Sequence, residues 1–264
     1  MKKAITIAPP WASEATHFLG SSDPVLARII AQVGPLEMGY RPDRFQSLVR
    51  AIIFQQLAGR AALAIYERFV KIIGHGRFPT PMQVIEAPDE EMRRAGLSRG
   101  KMAYIRDLAR HVREGSLNFR RFARMGDEEI IADLVRVRGI GRWTAEMFLM
   151  FNLRRPDVLP VDDLGFRSAV AKAYGLSQLP AAKELKSIGE RWRPYRSAAT
   201  WYFWQSTRIT TPEAADKTVH KAMQIKPKSG QTKDVRVTKA SAGKGGGRKR
   251  RAPRQPLRRS KLES

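Results

Sequence analysis

Cysteine is missing from all 264 residues of this chain. That absence excludes disulfides, thiolate zinc sites, a cysteine nucleophile and a thiolate-held iron–sulfur cluster. Histidine is scarce too: His17, His75, His111 and His220 are scattered and lack ligand spacing. No run approaches the ~18 apolar residues that a membrane span needs. Met1-Lys2-Lys3 resembles the start of a secretory leader, but the apolar stretch 4–8 is short and Pro9-Pro10 ends it. A cytoplasmic protein is therefore expected, associated with the nucleoid if bacterial. Acids are outnumbered, 25 Asp+Glu against 49 Lys+Arg, which leaves a net charge of +24. Residues 212–264 hold 16 Lys+Arg and 4 Asp+Glu, half of that excess, so the remainder is basic without them. Such a balance asks for a polyanionic partner, and nucleic acid fits best.

What is present is mostly helical periodicity. Phe45, Leu48, Val49, Ile52 and Ile53 fall at helical spacing. Further helices are expected over 61–73, 101–112, 127–135, 142–151, 163–174, 180–191 and 195–206. Asp23-Pro24 reads as an N-cap followed by a first-turn proline. The expected organisation is an irregular segment over 1–22, an all-α core over 23–210 and a basic tail over 211–264. Ser241 to Gly247 is glycine-rich and Arg248-Lys249-Arg250-Arg251 is a block of charge. The tail carries too little apolar surface to fold, so disorder is expected there.

The most informative stretch is Val137-Arg138-Gly139-Ile140-Gly141-Arg142-Trp143-Thr144-Ala145, followed downstream by Pro160-Val161-Asp162-Asp163. The first part reads as a tight glycine turn that opens a helix. The second reads as a carboxylate at the start of the next helix. Glycine permits tight geometry and close approach by a phosphate. The amides around Gly139, Gly141 and Thr144 would lie at a helix N-terminus, where an anion is favoured, and Arg142 adds a charge. Such a contact positions a protein on nucleic acid without reading sequence. In isolation a Gly-x-Gly is equally an ordinary helix–helix turn; the flanking Trp143-Thr144-Ala145 and the downstream acid favour the phosphate. Gly96-Leu97-Ser98-Arg99-Gly100-Lys101 is a second candidate, for which a plain turn is the stronger reading.

Four separated stretches carry a resemblance: the glycine turn, the Pro160–Asp163 stretch, Gln55-Gln56-Leu57, and Arg191-Trp192-Arg193-Pro194-Tyr195-Arg196-Ser197. In this order they resemble the helix-hairpin-helix (HhH-GPD) DNA glycosylase superfamily, nearest its DNA-3-methyladenine glycosylase II branch. The likeness covers about residues 23–208. It implies two helical subdomains flanking a DNA-binding and active-site cleft. It also implies excision of alkylated purines, of the 3-methyladenine and 7-methylguanine type, by base flipping and hydrolysis of the N-glycosidic bond in base excision repair.

The resemblance also assigns roles. Asp163, 20 residues after Trp143, falls where this branch has its catalytic acid. Asp162 fits the Pro-Val-Asp pattern of other branches and is the alternative; with Asp163 catalytic, Asp162 would cap the helix. Trp143 stands where strand-cleaving relatives carry a lysine, so neither a Schiff base nor lyase activity is expected. Trp143 and Trp204 imply walls of a base pocket, and Met147 stands where the best-matched relative has an aromatic residue. Gln56, with Leu57 beside it, implies the wedge that fills the gap in the duplex, although polar helix packing also explains it. Gly139, Gly141, Arg142 and Thr144 imply the phosphate contact. An aromatic face suits a cationic base, at about 0.5–2 kcal/mol. Trp192, Tyr195, Trp201, Tyr202 and Phe203 crowd the same region and are expected mostly in the core. No metal or cofactor is implied beyond a monovalent cation that the hairpin could hold. The expected partner is double-stranded DNA with a damaged base, met by a monomer, with no membrane. A glycosylase for uracil, deaminated or etheno bases and a noncatalytic DNA-binding protein are the competing readings.

Overall fold

The computed structural model describes residues 5–209; the expected basic tail over 211–264 lies outside them. Two short strands, β1 (Ile5–Ile7) and β2 (Met38–Tyr40), pair antiparallel, with Ile5 opposite Tyr40 and Ile7 opposite Met38. Otherwise the elements are helices. Between the strands run α1 (Ala12–Ser22) and α2 (Pro24–Val33). The first of these corrects the expectation of an irregular segment over 1–22. Ala12, Ala15 and Leu19 form a buried stripe at helical spacing. Small alanines make that stripe easy to overlook. Asp23 caps α2 as expected, with Oδ1 accepting from the amides of Val25 and Leu26.

A middle group follows: α3 (Arg44–Phe54), α4 (Gly59–Ile73), α5 (Pro81–Glu86), α6 (Asp89–Arg94) and α7 (Arg99–Arg113). Leu48, Val49, Ile52 and Ile53 of α3 are all buried, as their spacing predicts. Each such side chain stabilises the fold by roughly 1.5–3 kcal/mol. Then come α8 (Asp127–Val135), α9 (Arg142–Phe151), α10 (Leu164–Tyr174), α11 (Ala182–Gly189) and α12 (Arg196–Ile209). The N- and C-terminal helices α1, α2, α10 and α12 pack together, and α3 to α7 pack together. The α8–α9 pair joins the two groups: α9 touches α3 on one side. On the other side its aromatic residues reach α10 and α12. Among the described residues no helix is long and apolar enough to cross a membrane.

Candidate active site

The glycine turn joins α8 to α9. Gly139 has φ +83°, the left-handed region that glycine tolerates. A Cβ there would lie 2.3 Å from the ring of Tyr104 on α7. The room that Gly139 makes is therefore taken by a protein ring, not left for a phosphate. Gly141 faces open space, with nothing within 4 Å of its would-be Cβ. It is also the N-cap of α9, and no side chain caps that helix. The first amides of α9 are thus left for an outside acceptor. Thr144 is buried, so its hydroxyl is not offered outward.

Arg142 departs from expectation. Its guanidinium holds Glu128 with two bonds, at 2.5 and 2.9 Å, and Glu146 with Nε at 3.0 Å. Its charge is answered inside the protein and is not free for a phosphate. Glu146 is only 3% exposed. Burial pushes its carboxyl up to about 7 despite the arginine.

The wedge candidate sits at the end of α3. Gln56 is exposed with φ +60°, a conformation that costs a side-chain residue energy. Ties just N-terminal to it hold it there. Gln55 Nε2 donates to Gly139 O at 2.7 Å, and Lys101 Nζ donates to Ile53 O at 2.6 Å and Gln55 O at 2.9 Å. A helix C-terminus leaves carbonyls unpaired, and a cation answers them well. Lys101 therefore points inward, and burial lowers its pKa. Gly96 is crowded by Arg68, and Ser98 caps α7 through Lys101 N. The second glycine stretch is accordingly a plain turn. Leu57 is half-buried against the core.

Asp163 caps α10: its Oδ1 accepts from Phe166 N at 2.6 Å. Capping thus falls to Asp163, not to Asp162 as expected. Asp162 is an exposed turn residue. Two indoles complete the set, Trp204 Nε1 donating to Oδ1 at 3.0 Å and Trp143 Nε1 to Oδ2 at 2.8 Å. A carboxylate has about four acceptor positions. Three are filled among the described residues, and the remaining one is on Oδ2. Asp163 is 3% exposed, whereas both indoles are half-buried and keep part of their rings accessible. Gly165 keeps the place clear, since a Cβ there would come within 3.3 Å of Asp163 Oδ1.

Trp143, Met147 and Phe151 lie at i, i+4 and i+8, one face of α9. Phe151 stacks on Trp204 with centroids 6.0 Å apart and planes at 17°. Met147 is buried between the two aromatic residues of that face. Trp192, Tyr195, Trp201, Tyr202 and Phe203 are all buried, so the structure puts all five in the core. Phe151 was missed by the motifs, although its place eight residues after Trp143 is visible in sequence. Tyr104 was missed, and the contacts that Gln55 and Lys101 make were not read, because their partners are remote in the chain.

Two half-buried indoles bonded to a buried carboxylate, beside a hairpin with an open helix N-terminus, are the marks of a helix-hairpin-helix protein. The model for the HhH-GPD superfamily of base excision DNA repair proteins matches residues 49–194, and the chain belongs to that family. It is 35% identical over 205 residues to DNA-3-methyladenine glycosylase 1 of Schizosaccharomyces pombe, covering 75% of this chain and 88% of that one. Two solved structures are similar. A 3-methyladenine DNA glycosylase of Schizosaccharomyces pombe in complex with abasic DNA matches with a TM-score of 0.63 at 35% identity, over 74% of this chain and 97% of that one. A DNA-3-methyladenine glycosidase from Bacillus halodurans matches with a TM-score of 0.70 at 34% identity, over 80% and 95%.

Proposed function

We propose that this protein is a monofunctional DNA glycosylase that removes alkylated purines from duplex DNA by hydrolysing the N-glycosidic bond. The observation that carries the reading is the carboxylate of Asp163, gripped by two indole N–H groups with one acceptor position left on Oδ2. The relatives named as 3-methyladenine glycosylases support the substrate class.

The hairpin amides hold a backbone phosphate, and Gln56 enters the space of the extruded nucleotide. The base then lies against Trp143, Trp204 and Phe151. An alkylated purine carries positive charge, which these faces favour. The bond from C1′ to the base nitrogen breaks with its electron pair going to the base, which leaves neutral. Positive charge develops on the sugar, and the Asp163 carboxylate stabilises it. Water adds its oxygen to C1′, and Asp163 Oδ2 takes the proton. Trp143 offers no amine, so the sugar forms no Schiff base and the strand stays intact.

The hairpin carbonyls of Val137 and Gly139 each accept one protein hydrogen bond and keep a second lone pair. A monovalent cation fits there; it would add charge beside the phosphate and takes no part in bond cleavage.

The test is release of free base from duplexes carrying single 3-methyladenine, 7-methylguanine, hypoxanthine or uracil residues, followed by hot alkali. Base release with strand breaks only after alkali is expected for the alkylated purines. Binding without release of any base overturns the enzymatic reading, and a borohydride-trapped adduct overturns the monofunctional one. Met147 is narrow and polarizable, so the two neutral bases are the arms most sensitive to pocket breadth.

A further inference from the structure

Beside the wedge lies a pair of arginines with no acid to answer them. Arg50 of α3 lays its guanidinium over the ring of Phe54, 3.6 Å from the centroid. Arg41, just ahead of α3, acts on the same charge. Both are half-buried. Among the described residues neither guanidinium has a hydrogen bond or a carboxylate partner. Their titratable neighbour is the hydroxyl of Tyr66, which accepts from Gln46 Nε2 at 2.5 Å. Three other arginines are answered differently. Arg142, Arg155 and Arg196 all meet carboxylates. Two like charges held partly out of water destabilise the free protein. Burial, with Arg41 adding to it, holds Arg50 down to about 10.

The pair is close to the place where DNA would open. Phe54 is followed directly by Gln55 and Gln56. Arg50 is four residues before Phe54, about 6 Å along α3, and its head leans toward Phe54, two residues before Gln56. One strand of a duplex carries a phosphate for about every 3.4 Å of axis. A glutamine seated in the stack therefore brings this guanidinium within reach of the phosphates at the gap. The main chain at Arg41 is also tied to the C-terminal end of α9. Asn152 donates to the Arg41 carbonyl and to Ser47 Oγ, and it adjoins Phe151, which stacks on Trp204.

We propose that Arg50 and Arg41 form a binding site for the phosphodiester that flanks the extruded nucleotide. Phe54 fixes the plane of the Arg50 fork, which suits two-point contact with phosphate oxygens. The base itself is the wrong ligand, because a cationic purine is repelled by the same charges. This inference rests on the reading of the protein as an enzyme that flips nucleotides.

The test uses the full chain and a duplex with a stable abasic analogue, with affinity measured from 50 to 200 mM KCl. In wild type the logarithm of affinity falls with that of salt. Arg50→Gln should lower that slope by about 0.9, the amount that each neutralised phosphate contributes, and Arg50→Lys should restore most of it. Arg41→Gln should act in the same direction and stands in if Arg50→Gln unfolds on thermal melting. An unchanged slope in both glutamine variants overturns the proposal. So does a loss of excision confined to one lesion with the slope unchanged, since that marks a contact to the base. Base release by wild type is measured alongside: its failure removes the glycosylase reading, whereas the slope still reports the phosphate site.

Discussion

Two buried aspartates in this molecule are built alike but are not equally satisfied. Asp23 caps α2, and Asp163 caps α10. Each accepts from an indole, and each lies at a junction of remote segments. Asp23 accepts from two amides, from Trp192 Nε1 at 2.8 Å and from the hydroxyl of Tyr174. Its four acceptor positions are full, and it is 0% exposed. Asp163 accepts three bonds, and its two indoles are not sealed in. One unused lone pair and two half-buried indoles separate Asp163, for which we propose a role on a ligand, from Asp23, whose positions are all taken.

The same substitution at both positions should have opposite consequences. Asparagine keeps one acceptor and turns the other into a donor, which then faces an N–H or O–H group. Asp163→Asn should lower single-turnover base release by about 10²–10⁴-fold, while binding to abasic duplex persists. Full retained activity would move the role to Asp162, to be tested by Asp162→Asn. Asp23→Asn should leave release per folded molecule intact at low temperature and destabilise the fold by about 2–4 kcal/mol. For a body of this size that lowers the melting temperature by roughly 4–16 °C. Burial pushes the Asp23 carboxyl up, but the bonds from Tyr174, Trp192, Val25 and Leu26 outweigh it and hold the group below its ordinary value. Its stabilisation is thus full above about 3.9, the value in the unfolded chain, and is lost as pH falls through the folded value. Asp23→Asn should remove that acid limb from a pH series of melts.

A smaller effect is expected at the wedge. Lys101→Met removes two donors from the carbonyls of Ile53 and Gln55. Gln56 then loses a tie on its N-terminal side. Release from a fully paired duplex should slow by about tenfold, equivalent to about 1.4 kcal/mol. Release from a mismatched site, where opening is cheaper, should slow less. Equal slowing at both sites would mean that Lys101 supports the fold and not the opening step.

Much of this comparison could be read from the chain, and the unread parts share a cause. Asp23-Pro24 declares a cap, and Trp143 and Asp163, singled out together by a known pattern, do meet in the structure. The partners that set the two acids apart are not local: Trp192 and Tyr174 are 169 and 151 residues from Asp23. The hairpin repeats the lesson. Glu146 is four residues from Arg142, so that pair is visible as a helical neighbour, but Glu128 reaches the same arginine from another helix. Charge that looks available for phosphate is already taken. Helix α1 goes unread for a different reason: alanines bury little area each and leave a weak periodic trace.

Glu146 sharpens the comparison from the other side. It is as buried as Asp163, but what it receives is a single arginine Nε at 3.0 Å, with no amide or indole among the described residues. Burial outweighs that cation, with Asp162 and Glu128 adding negative charge nearby, so the carboxyl lies at about 7. In the unfolded chain a glutamate titrates near about 4.3. Between those values the unfolded chain has lost its proton and the folded one keeps it. Stability should therefore fall as pH rises from about 5 to about 6.5, by about 1 kcal/mol per pH unit. Glu146→Gln removes the titration, and the melting temperature should then be flatter across that interval than in wild type. If the two profiles coincide, the arginine outweighs burial after all, and the number of N–H donors no longer explains why Glu146 and Asp23 titrate in opposite directions.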